Sequence, residues 1–178
     1  MIIGVDVETA NPNSGAICAL GIAIVIKGAV VRERHWLYDP LTGFDARYIR
    51  IHGITERNVR GRPTLKRGWS EVLAFIFEAR RDLNEPSLFQ DAPLHDAPMY
   101  VAHNAPFDRG QIQSALGETL PFHLECTVSM ARKSFPQLGA HKLNVVAAHL
   151  GIPLQHHDAL SDARACALIA HHCKHATA

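Results

Sequence analysis

Between Ile17 and Ile26 the sequence reads ICALGIAIVI, an uncharged run of Ile, Val and Ala that stops at the turn pair Lys27-Gly28. Such a run predicts an extended segment, and it has one on each side: Ile2–Val7 before it and Val30–Tyr38 after it. Three consecutive strands with a tight turn between the second and third predict an antiparallel start to a sheet.

From Trp69 the periodicity changes. Trp69, Val72, Leu73, Ile76 and Leu83 recur at helical intervals, with Glu71, Glu78, Arg80 and Arg81 on the opposite face, which predicts an amphipathic helix covering the sheet. Asn84–Pro98, with its prolines and acids, predicts a flexible surface loop. A short strand over Met99–Ala102, a helix over Phe107–Leu116 stopped by Gly117, and a strand over Leu124–Thr127 follow. Helices over Lys142–Leu150 and Ala159–His172 complete a mixed α/β chain. A length of 178 residues suits one domain, residues 1–178, rather than two.

The first apolar strand ends in Val5-Asp6-Val7-Glu8-Thr9, two acids at a spacing of two. On a strand both side chains project from one face, where adjacent like charges are expensive unless a cation lies between them. His103-Asn104-Ala105-Pro106-Phe107-Asp108 leaves another strand and enters a helix, with Asp108 in its first turn. His157-Asp158-Ala159-Leu160-Ser161-Asp162 puts a histidine before the last helix and an acid in its first turn. Helix-dipole and capping effects account for each of the last two motifs alone. They do not account for all three in this order.

In that order the strings DVET, HNAPFD and HDALSD, together with IHGIT at Ile51–Thr55, resemble the DnaQ-like or DEDDh 3′→5′ exonucleases over essentially the whole chain. The resemblance implies a ribonuclease H-like α/β fold, a mixed five-stranded sheet flanked by helices. It also implies catalytic residues Asp6, Glu8, Asp108, Asp162 and His157. Asp6, Glu8 and Asp162 would hold one divalent ion, Asp6 and Asp108 a second, and His157 would act as general base. Only His157 fits the H-x-A-x-x-D spacing, although His156 and Asp158 flank it.

The chemistry agrees with the resemblance. Phosphodiester hydrolysis needs a water nucleophile and stabilisation of both attacking and leaving oxygens, which two metal ions can supply. An all-oxygen ligand set suits Mg²⁺ or Mn²⁺ rather than zinc. A histidine titrating near neutrality can take the proton from the attacking water. The His171, His172, Cys173 and His175 group lacks a partner pair at structural-zinc spacing and predicts only a polar helix end.

Substrate contacts are expected from Thr9, His52 and Asn104, and from a basic stretch in which Arg57, Arg60 and Arg62 could follow phosphates. A formal net charge of +1 argues against coating long nucleic acids and permits a grip on one chain end. After DVET the chain reads Ala10-Asn11-Pro12-Asn13-Ser14, without the Thr-Gly frequent in proofreading subunits, so the loop meeting the terminal base is expected to differ.

The activity so implied is release of nucleoside monophosphates from single-stranded or frayed DNA with a free 3′ end, with a DNA polymerase as a partner in trans. RNA 3′-end trimming and a non-catalytic nucleic-acid or polymerase-binding module are the alternatives. No targeting signal or membrane-length run is seen, and four scattered cysteines suit reduced thiols, so a soluble cytoplasmic protein without membrane contact is expected.

Overall fold

The computed structural model describes residues 1–84 and 97–176. The expected surface loop Asn84–Pro98 therefore lies, for residues 85–96, outside the described residues.

Strands β1 (Ile2–Thr9), β2 (Ile17–Ile26) and β3 (Ala29–Leu37) form the expected antiparallel meander, turned at Lys27-Gly28 with both residues at positive φ. Helices α1 (Ala46–His52), α2 (Glu56–Val59) and α3 (Leu65–Asn84) follow. Then come β4 (Met99–Ala102), α4 (Ala105–Leu116), β5 (Leu124–Cys126), α5 (Thr127–Ser134), α6 (Leu143–His149) and α7 (Ala159–Ala176). The sheet order is β3-β2-β1-β4-β5, with β4 parallel to both β1 and β5.

Period-two alternation along β1 divides the interior. Ile3, Val5 and Val7 join the core formed with α3 and α4, where Trp69, Val72, Phe75, Ile76 and Ile112 pack. Ile2 points to the opposite face, into a second core built from α5, α6 and α7. Gly4, Asp6 and Glu8 share that second face.

Helix α7 presses closely on the sheet. A methyl group on Gly4 would lie 1.9 Å from the Ala163 carbonyl oxygen, and one on Gly21 would lie 2.0 Å from that of Ala159. With Ala159, Ala163 and Ala167 facing those glycines, backbone meets backbone, and the first turn of α7 is set directly beside the end of β1. That approach positions the site.

Candidate active site

Four chain segments meet at the carboxyl ends of the parallel strands β1 and β4, around an open cleft of about 540 Å³. Asp6, Glu8, Asp108, Asp162 and His157 all line it, as do Asn104, Phe107, Arg132, Lys142 and His156.

Asp6 and Glu8 enter from β1, where a register shift between Glu8 and Thr9 ends the regular pairing with β2. Asp162 arrives from the first turn of α7. One ligand oxygen from each of Asp6, Glu8 and Asp162 lies within 4.8 Å of the others. Asp108 comes from the first turn of α4 and is held differently. The β1–β4 pairing stops at Gly4, and farther along the strand the Val7 N–H donates to Asp108 Oδ1 at 3.3 Å. The structure thus brings three of the expected ligands into one cluster and sets the fourth beside them in the same cleft.

Burial makes this cluster expensive to ionise. Asp6 is raised well above the usual carboxylate range by burial, and further by the charges of Asp108, Asp162 and Glu8. Burial pushes Glu8 up to about 8, with Asp162 adding to it. Asp108 and Asp162 are also raised by burial, opposed in Asp108 by the backbone N–H groups it accepts and in Asp162 by its bonds to His157 and His156. Asp162 Oδ1 is buried with no hydrogen-bond partner among the described residues. Crowded carboxylates with an orphaned oxygen fit a divalent cation bound by oxygen, so the residues present suit the metal that the motifs imply.

The loop before α7 is tightly specified. Asp158 Oδ1 accepts from the Ser161 N–H at 2.8 Å, the usual capping role, and Ser161 Oγ accepts from the Gln155 N–H at 2.8 Å. Asp162 does not cap: its Oδ2 accepts the His157 N–H at 3.0 Å, with His157 in the left-handed region at φ 71°. His156 Nδ1 lies 3.0 Å from the same oxygen, and the two imidazoles stack with centroids 3.9 Å apart. His157 is exposed at the cleft, and partial burial followed by the neighbouring His156 lowers its pKa below the usual histidine value. That shift favours the neutral ring, the form a proton acceptor needs.

The HNAPFD string now has a physical account. Burial drives His103 down to about 4, so the ring is neutral and one nitrogen must accept. The His141 carbonyl can only accept, so Nε2–H donates to it at 2.9 Å, and Nδ1 takes the Thr127 hydroxyl at 2.9 Å. His103 thereby ties the end of β4 to α5 and to the segment carrying Lys142. Asn104 turns the chain at φ 74°, Pro106 occupies the first helical turn, and Phe107 stays 46% exposed at the cleft.

The expected substrate contacts divide. Asn104 lines the cleft. Thr9 is buried, and its carbonyl accepts from His52 Nε2 at 3.1 Å while His52 Nδ1 accepts from the Ile54 N–H at 3.0 Å. His52 thus fastens the end of β1 to the turn after α1, and neither Thr9 nor His52 is among the cleft-lining residues. Arg57, Arg60 and Arg62 are exposed on α2 and its following turn, also away from the cleft lining. The cations that do line it are Arg132, on α5, and Lys142, just before α6. Sequence reasoning passed over both, because neither falls within the three acidic motifs.

The PolC-type DNA polymerase III of Clostridium perfringens is 32% identical over 170 residues, covering 92% of this chain and 10% of that protein. That of Thermotoga maritima is 28% identical over 171 residues, covering 92% and 11%. The chain thus spans about a tenth of the length of these curated relatives. Among solved structures, exonuclease X in complex with 5′ overhanging duplex DNA superposes with a TM-score of 0.68 at 24% identity, covering 98% of this chain and 92% of that one. A full-length 3′-exonuclease reaches 0.74 at 16% identity, covering 98% and 81%. These two likenesses show the same fold, and the RNase T family model, described as exonuclease, matches residues 3–170. With that match across nearly the whole chain and the acidic cleft at its centre, the chain belongs to the exonuclease family.

Proposed function

We propose that this exonuclease domain hydrolyses the last phosphodiester at a free 3′ end of single-stranded or frayed DNA, releasing nucleoside monophosphates one at a time. The convergence of Asp6, Glu8 and Asp162 oxygens within 4.8 Å, beside Asp108 and an exposed His157, carries the proposal. Bound Mg²⁺ or Mn²⁺, two ions in the reading proposed here, supplies charge neutralisation at phosphorus and activation of water. Asp6, Glu8 and Asp162 would hold one ion, and Asp6 with Asp108 a second. His157 accepts the proton of the attacking water, its backbone held at the cleft by the bond from its N–H to Asp162. Arg132 and Lys142 offset phosphate charge from the same cleft, and Phe107 offers an aromatic face to the terminal base.

DNA is favoured because the curated relatives are DNA polymerases, which also supports a role beside a polymerase in the cytoplasm. RNA is the second reading, favoured by the fold shared with a 3′-exonuclease that recognises a histone mRNA stem-loop. The described residues contain no helix long and apolar enough to cross a membrane.

The test is digestion of 5′-labelled DNA and RNA, single- and double-stranded, with Mg²⁺, Mn²⁺ or EDTA. A ladder shortened from the 3′ end, fastest on single-stranded DNA and absent in EDTA, is expected. Cutting of a circular single strand, or full activity in EDTA, overturns the proposal.

A further inference from the structure

We propose that His156, His157 and Asp162 form an inhibitory site for a zinc-class transition ion that overlaps the oxygen cluster at Asp162. The inhibition rests on the exonuclease function proposed above, whereas the binding does not.

One ligand atom from each of the three residues lies within 4.8 Å of the others. Asp162 is the fixed member. Its side chain is 5% exposed, its Oδ2 is engaged by the His157 N–H and by His156, and its Oδ1 is buried without a partner among the described residues. The imidazoles are the adjustable members, because both residues are exposed while their backbone is pinned by the Asp158–Ser161 and Gln155–Ser161 bonds. Zn–N bonds are about 2.0–2.1 Å long, so donors around one tetrahedral ion sit roughly 3.3 Å apart. His156 Nδ1 already lies 3.0 Å from Asp162 Oδ2, and both rings are exposed and free to turn toward that spacing.

Ligand chemistry separates this site from the oxygen cluster. Two imidazoles and one carboxylate suit Zn²⁺, Co²⁺ or Ni²⁺, whereas Mg²⁺ and Mn²⁺ favour carboxylate and water. The two clusters share Asp162, so filling one weakens the other. An ion on the histidine side also ties up the ring of His157, the proposed base. Zinc therefore lowers turnover in the presence of Mg²⁺, and Mg²⁺ raises the zinc concentration needed.

Binding is tested without nuclease activity, by titrating metal-stripped protein with Co²⁺ and following its visible absorption. His175→Ala serves as the parent chain, because the His171 and His175 rings stand 4.4 Å apart on α7 and would bind Co²⁺ themselves. The expected result is one stoichiometric site showing four- or five-coordinate bands, displaced by Zn²⁺ and not by equal Mg²⁺. His156→Gln, which keeps a hydrogen-bond donor toward Asp162, should weaken Co²⁺ binding at least about tenfold, and His156→Ala should do the same. Glu8→Gln should retain the site. In nuclease assays scaled to each variant's own zinc-free rate, the half-inhibiting Zn²⁺ concentration should rise about tenfold in His156→Gln.

Absent bands, bands lost in Glu8→Gln but kept in His156→Gln, or zinc inhibition unchanged by His156→Gln would each overturn the site. A protein that binds Co²⁺ as described but cuts no substrate instead overturns the exonuclease proposal and the inhibition that rests on it.

Discussion

Asp162 shows how one side chain can hold two roles, because its oxygens have different surroundings: Oδ2 fixes the loop before α7, and Oδ1 is left without a partner among the described residues. His157 can therefore be removed without emptying the cleft of carboxylates. His157→Ala should keep metal and substrate binding while single-turnover hydrolysis slows by roughly 10²–10⁴-fold, the usual worth of positioned proton transfer. A near-normal rate at saturating Mg²⁺ would move the base role elsewhere, with His156 the next candidate. The cations make a second comparison. Arg132→Ala with Lys142→Ala should raise KM and flatten its dependence on salt, whereas replacing Arg57, Arg60 and Arg62 should have the smaller effect, since only the first pair lines the cleft. The reverse ranking would restore the α2 arginines as the phosphate track. The acids were legible because two obey strand alternation and two open helices. Arg132 and Lys142 were not, since no local pattern tells which cations a fold will turn toward acids more than a hundred residues earlier.

Among the elements, α7 does most to assemble the site. Gly4→Ala would drive a methyl group into the Ala163 carbonyl, and a helix cannot move its own backbone cheaply. We expect a loss of about 1–3 kcal/mol in denaturant unfolding, together with weaker Mg²⁺ binding, as Asp162 is pushed from Asp6. Destabilisation with unchanged Mg²⁺ affinity would show that helix contact and metal geometry are independent. The three meander strands were readable from apolar runs and the Lys27-Gly28 turn, and α3 from its helical stripe. Three short helices were not anticipated. α1 buries none of its residues, α2 buries only Val59, and α5 follows β5 with no intervening turn signal. The sequence placed Gly4 on the strand, yet nothing local announced that a helix from the far end of the chain would rest on it.

For the molecule as a whole, two buried populations oppose each other as pH changes. His103, with a folded pKa of about 4, binds fewer protons folded than unfolded, so it lowers stability as pH falls from roughly 6.5 toward 4. The carboxylates run the other way. Glu8, raised to about 8, stays protonated longer in the folded protein, so stability declines as pH rises from roughly 4.3 through 8, and Asp6 and Asp162 act in the same direction. With three raised carboxylates set against one lowered histidine, metal-free protein should lose stability as pH rises from roughly 4.3 through 8. Mg²⁺ should lift the alkaline side most, by about 2.7 kcal/mol at one hundred times its Kd. Asp6→Asn should raise the metal-free melting temperature at pH 8 and reduce the Mg²⁺ response. Equal Mg²⁺ shifts at pH 6 and pH 8 would contradict this account.

The dependence on α7 has a further consequence during synthesis. The ribosome releases the β1–β2–β3 meander early, yet the last carboxylate and much of the second core are encoded after residue 158. A nascent chain therefore carries Asp6, Glu8 and Asp108 through most of translation as an incomplete set. The carboxylate set is complete only when α7 settles on its two glycines, so emergence order itself withholds the full cluster until that helix has left the ribosome.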